Sequence, residues 1–160
     1  MIDIKELQLL AEKVAPESKV FFKRNKRKLE KIDSYIHAQH AFFSEKYNCL
    51  ECANCCKSLG PAIYDKDIER MGKVLRMKQA ELIDTYLKKD EDEDYVFRSM
   101  PCPFLLPDNY CSIYESRPKA CREYPHTDRK RFSQIFLLSI KNTYTCPIVY
   151  EVIEQVKKTI

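Results

Sequence analysis

Residues 49–60 read CLECANCCKSLG, and four of the chain's eight cysteines, Cys49, Cys52, Cys55 and Cys56, fall in the first eight positions of that stretch. A chain of 160 residues that is 44% hydrophobic can bury an ordinary apolar core, so it has no need of disulfides as staples. The cysteines therefore call for a chemical explanation. Thiolates are soft donors that suit zinc or iron-sulfur centres, and two residues between cysteines let a tight turn aim both sulfurs at one point.

The other four are Cys102, Cys111, Cys121 and Cys146. Three cysteines at x2 spacing match the first ligands of a bacterial ferredoxin run, whose last ligand is a Cys-Pro further on. Cys102-Pro103 and Cys146-Pro147 are candidates for such remote ligands. Zinc knuckles generally use separate CxxC pairs, and the overlapping run from Cys49 to Cys55 favours a larger inorganic centre. Adjacent side chains diverge, so Cys55 and Cys56 suit two neighbouring metal positions better than one. Eight thiolates divide naturally into two four-sulfur sites, while one site plus a spare pair is the other division. Adjacent cysteines do not easily reach bridge geometry, which argues against a disulfide between them.

A centre held by thiolates is anionic and requires compensating charge and hydrogen-bond donors. The segment IYESRPKACREYPH supplies Arg117, Arg122 and Tyr124 around Cys121, with Lys57 beside the doublet. These are read as groups supporting the sulfurs from behind. The competing reading pairs the two arginines with Glu115 and Glu123 at the surface. His126 follows Cys121 by five residues, as a ligand, a proton carrier or a plain hydrogen-bonding residue; His37 and His40 share a helix face without an assigned role.

Outward from the cysteines, the pattern is helical. Ile4, Leu7, Ala11 and Val14 recur at helical spacing up to Pro16, and a second helix is expected from about Glu17 to Lys46 through Phe22, Leu29, Ile32, Ile36 and Phe43. Asp65 or Asp67 can cap a helix bearing Ile68, Met71 and Leu75, with a turn near Met77 leading to one bearing Leu82, Ile83 and Tyr86. DEDED, residues 90–94, reads as a solvated connector, and YVFRS and YCSIY as strands of one small ribbon. Five prolines make residues 100–126 mostly turns and extended chain. Phe132 to Lys141 reads as a helix, and Pro147 suits the first turn of a last one. The expected fold is mainly α: a small helical domain with a cysteine-rich metal-binding loop region and at most a short two-stranded ribbon. Residues 1–46 form a helical extension packed on the core, and 47–160 the cysteine-cluster domain, together one structural unit.

Composition removes several functions. Only Gly60 and Gly72 occur, too few for phosphate-cradling loops, so a Walker-type nucleotidase and a dinucleotide-binding fold are excluded. No C-x3-C-x2-C triple supports a radical enzyme. The helical hairpin resembles a DNA reader only loosely, since Glu81 and Asp84 near the start of its second helix would repel phosphates. The net charge is +4, with basic runs at KRNKRKLEK, residues 23–31, and DRKR, residues 128–131, read as solvated faces. No export signal or membrane-length apolar run is visible, so a cytoplasmic protein with a protein or redox partner and no membrane partner is expected, with nucleic acid disfavoured as a partner.

At CLECANCC, DIERMGKVL, ELIDTYL, CPFLLPDNYCSIYESRPKACREYP and the final CP, over about residues 47–148, the chain resembles the YkgJ-like cysteine-cluster family of zinc- or iron-chelating proteins. That resemblance implies a small, mostly helical, cysteine-ligated metal or iron-sulfur protein in which all eight cysteines match the pattern. The flagellin lysine N-methylases are similar in their cysteine motif, which would imply methyl transfer to protein lysine; no flagellin-specific segment is recognisable here. Three functions follow as expectations: an iron-sulfur protein with a redox or metal-dependent enzymatic role, a zinc module that docks a partner, and a lysine methyltransferase-like enzyme.

Overall fold

The computed structural model describes residues 2–160. In chain order its helices are α1 (Ile4–Leu29), α2 (Asp33–Lys46), α3 (Cys49–Cys52), α4 (Asn54–Ser58), α5 (Asp65–Leu75), α6 (Gln79–Tyr86), α7 (Lys119–Glu123), α8 (Phe136–Asn142) and α9 (Pro147–Thr159). Strands β1 (Leu87–Lys89) and β2 (Tyr95–Phe97) form a two-stranded antiparallel sheet, so the fold is mainly α as expected. The chain divides into two compact units: residues up to Cys52 with Pro125–Ile160, and Ala53–Tyr124.

In the first unit, α1 and α2 pack on α8 and α9. Helix α1 starts at Asp3, whose carboxylate accepts the Lys5 amide at 2.9 Å. Leu7, Ala11, Ala15, Ser18 and Leu29 are buried along one stripe, Phe22 stacks on Phe136 at 5.2 Å between ring centroids, and α9 contributes buried Val149, Val152, Ile153 and Val156. Each large aliphatic or aromatic side chain buried this way is worth about 1.5–3 kcal/mol. That explains one correction to the sequence reading. Pro16 does not end the first helix, because one proline costs about 3 kcal/mol and the apolar stripe runs on either side of it. The break falls instead between Leu29 and Asp33, where Lys26, Arg27, Lys28 and Lys31 crowd like charges at helical spacing. Pro147 takes the first turn of α9, as expected.

The second unit is built on Ile63, Ile68, Met71, Leu82, Leu87, Phe97, Phe104 and Ile113, all buried in one cluster. Helix α5 opens with a capping box in which the Asp67 carboxylate accepts the Tyr64 amide at 3.1 Å. It closes at Arg76, whose φ of 55° is left-handed. At Gly72 a Cβ would approach the Met77 carbonyl oxygen to 3.0 Å, so a side chain there would crowd the turn into α6. A second correction concerns the ribbon. β2 pairs with β1, not with YCSIY, in the register Leu87 with Phe97 and Lys89 with Tyr95. The acidic connector is the hairpin turn: the Asp90 carboxylate accepts the amides of Asp92 and Asp94, both at 3.0 Å. This local closure outcompetes a partner further along the chain. Residues 110–114 make only an isolated bridge from Cys111 to Leu105, followed by a 3-10 turn at Tyr114–Ser116. No helix among the described residues is long and apolar enough to cross a membrane.

Candidate metal centre

None of the eight cysteines is paired in a disulfide. In the second unit, Cys56 lies on α4, and its carbonyl accepts the Cys102 amide at 2.9 Å, tying together segments 46 residues apart. From Cys102 the chain folds back on itself: the Leu105 amide donates to the Cys102 carbonyl at 3.0 Å, Leu106 to Tyr110 at 2.8 Å and Ser112 to Phe104 at 2.8 Å. Cys102 and Cys111 stand at the two ends of this hairpin. The amides of Phe104 and Leu105 near the Cys102 sulfur, and that of Ile113 near the Cys111 sulfur, favour the thiolates. Cys121 sits on α7, where the electrostatic influence of Cys102, Cys56 and Cys111 reaches it.

The ionisation of these thiols follows their surroundings. Burial pushes Cys102 up to about 11 and Cys121 up to about 12, and it raises Cys111 as well. Cys56 goes the other way, down to about 7, through the hydrogen bond from the Cys55 thiol 3.9 Å away and then the positive charges of Arg117 and Lys57. Without a cation, three of the four thiols are held neutral by partial burial and by one another's charge. A dication removes that penalty.

Arg117 is the positive group of this set. Its Nε donates to the Tyr114 carbonyl at 2.7 Å and its guanidinium lies 3.4 Å from the centroid of the Tyr114 ring. Its charge acts on Cys56, Cys111 and Cys121. Arg122 is exposed on α7, and Tyr124 is half-buried where that helix ends. The supporting residues invisible in the sequence are Asp67 and Arg70. Buried Asp67 accepts the Lys119 amide at 2.9 Å and Arg70 Nη2 at 2.5 Å, and the same Arg70 nitrogen donates to the Arg117 carbonyl at 2.7 Å. One ion pair on α5 thus holds the stretch that carries both Arg117 and Cys121.

In the first unit, α3 carries Cys49 and Cys52 over an Asn48 turn whose carbonyl accepts the amides of Glu51 and Cys52 at 3.2 Å. Cys146 is the buried N-cap residue of α9, where the nearby amides of Val149 and Ile148 favour its thiolate without forming a side-chain cap hydrogen bond. Burial pushes its thiol up to about 12, and Cys49 and Cys52 add to the shift. Tyr47 donates to Glu151 at 3.0 Å and accepts the Ile2 amide at 2.9 Å. His37 and His40 have structural tasks: His37 Nε2 meets the Arg129 carbonyl at 3.1 Å and His40 Nδ1 the Thr127 hydroxyl at 2.7 Å, pinning the loop after His126 to α2.

Among the described residues, no three His, Cys, Asp or Glu side chains stand at the spacing of a metal's ligands. The sulfurs of each unit lie within electrostatic reach of one another without being gathered to a point. The donor set nonetheless fits a thiophilic metal: soft sulfurs in two groups, with an arginine beside one group. A mostly helical scaffold displaying two groups of largely half-buried cysteines fits a cysteine-ligated metal-binding protein.

Residues 48–147 match the CxxCxxCC family, described as "Putative zinc- or iron-chelating domain". The chain belongs to that family. Neither a curated protein nor a solved structure matches it.

Proposed function

We propose that the chain holds two thiolate-bound metal centres, one in each unit, and that they are iron-sulfur clusters serving a redox reaction. Cys56, Cys102, Cys111 and Cys121 are the ligands in the second unit, and Cys49, Cys52 and Cys146 are ligands in the first. Cys55 stays in the ligand set on the sequence pattern alone. The observation that carries this reading is the joining of the Cys56 and Cys102 segments, where the Cys56 carbonyl accepts the Cys102 amide at 2.9 Å, with Cys111 at the far end of the hairpin that begins at Cys102. Donors at sulfur, together with nearby charge, tune the potential of such a cluster. Bound iron and sulfide would supply the one-electron chemistry. The chain's own residues bind it, shield it from water and, through Arg117, offset its negative charge, with Arg122 and Tyr124 at the outer edge of that support.

Zinc is the second reading, favoured by the hairpin from Cys102 to Cys111, where two thiols brace a proline-rich loop with little regular structure. In that case the metal orders the fold for a protein partner. Purification without oxygen, followed by iron, zinc and acid-labile sulfide analysis, tests the proposal. Brown protein with iron and sulfide in equal amounts supports it. Colourless protein carrying only zinc overturns it in favour of the second reading, and protein without either metal overturns both.

A further inference from the structure

The first unit carries a feature that metal binding does not use. The two basic runs, residues 23–31 and 128–131, are far apart in the chain, yet the structure brings them together. The amides of Arg131 and Phe132 both donate to the Asp33 carboxylate, just beyond the end of α1. His37 holds the Arg129 carbonyl from the next turn of α2, and Phe136, on the helix after this loop, stacks on Phe22 of α1. Lys23, Arg24, Lys26, Arg27, Lys28, Lys31, Arg129, Lys130 and Arg131 are all exposed. The segments contain two acidic residues, Glu30 and Asp128, and Asp33 adjoins the first; the Asp33 carboxylate is engaged by backbone amides. The local excess of six positive charges exceeds the +4 of the whole chain, so the rest of the molecule is net negative. Among the described residues, none of the nine cationic side chains forms an ion pair.

Helix electrostatics explains only part of this. Cations in the last turn of α1 are stabilised by the helix dipole, which accounts for Lys26, Arg27 and Lys28. It does not account for the loop cations that the Asp33 and His37 contacts add. Clustering unpaired like charge costs stability through repulsion, and a polyanionic partner would offset that cost.

We propose that this face of the first unit binds the phosphate backbone of duplex nucleic acid without reading its sequence. The composition selects that partner. Protein interfaces are depleted in lysine, whereas five of these nine residues are lysines and nucleic-acid interfaces are strongly positive. Single strands are held chiefly by stacking on aromatic rings, and the two basic runs contain no exposed aromatic side chain. The helical hairpin of the second unit, with its acidic start, takes no part.

Titration of a fluorescently labelled random-sequence DNA duplex with the full chain, followed by anisotropy, tests this. Affinity should fall on the order of a hundredfold between about 50 and 150 mM salt, as expected for roughly four to six neutralised phosphates. Lys26→Ala and Lys130→Ala, one from each segment, should each weaken binding to every sequence and lower the salt slope by about one. Lys88→Ala, exposed in the other unit, should leave it unchanged. Duplex RNA should bind comparably, since nothing in the patch is placed to read a ribose hydroxyl. No binding at low salt, an unchanged slope in both patch variants, or tighter binding to polyglutamate or to anionic vesicles than to duplex would overturn the proposal.

Discussion

Replacing Asp67 by alanine tests whether α5 is what fixes the Cys121 segment. The carboxylate is buried and accepts three donors: the Tyr64 amide at 3.1 Å, the Lys119 amide at 2.9 Å and Arg70 Nη2 at 2.5 Å. A hydrogen bond to a charged group contributes about 1.5–3 kcal/mol net, and loss of a helix cap costs about 0.5–2 kcal/mol. Removing one member of a buried ion pair costs about 3–5 kcal/mol, but the Arg70 side chain keeps 29% of its exposure, so water relieves part of its stranded charge. These contributions overlap, and the expected loss is about 3–4 kcal/mol for Asp67→Ala. Asp67→Asn keeps an acceptor for Lys119 and should lose about half as much. Urea unfolding of the metal-free chain measures both. Competition for zinc with a chelator should show weaker binding in Asp67→Ala by about tenfold, the equivalent of about 1.4 kcal/mol of ordering that the metal must then supply. A loss below about 1 kcal/mol together with unchanged zinc affinity would refute the idea that this ion pair positions the site.

Burial raises the thiols of Cys102, Cys121 and Cys146 to about 11, 12 and 12, against about 8.5 for a free cysteine. The stability of the metal-free chain should therefore be complete below about pH 8.5 and decline as pH rises towards 12, because the unfolded chain releases these protons first; urea titrations across pH 7–10 under reducing conditions check this. The same neutral thiols must ionise to bind metal, so zinc binding should release protons and tighten with rising pH, which calorimetry in buffers of different ionisation enthalpy reads directly. Cys121→Ser and Cys146→Ser should each remove one centre and leave the other, halving metal content; either variant losing all metal would contradict two separate centres. Arg117→Gln should raise the Cys56 thiol and slow its alkylation at neutral pH in the metal-free chain, measured by mass spectrometry against wild type.

The sequence made the helical stripes legible because periodicity marks which side chains face inward. Ile68, Met71 and Leu82 are buried where the pattern places them. Periodicity does not say what an inward face meets, and that is where the reading departed from the structure. Pro16 marks a local cost whose outcome depends on the packing around it, and β2 pairs with the strand its acidic turn delivers. The cysteine run raises a similar limit. Nothing in CLECANCC says that Cys52 and Cys55 belong to different compact units, divided at Ala53 with its left-handed φ of 46°. Arg117 is a neighbour of Cys121 in sequence, while Asp67, 54 residues earlier than Cys121, reaches the Cys121 segment through its contact with the Lys119 amide, which no local pattern encodes.

The Cys56 carbonyl bonded to the Cys102 amide brings the two ends of a long excursion to one place, and everything between them departs and returns as a closed detour. Such a detour can lengthen cheaply, since doubling a flexible loop costs only about 0.6 kcal/mol. Its exposed acidic tip at residues 90–94 is the natural position to graft a reporter peptide or an affinity handle, leaving the sulfurs at its base undisturbed.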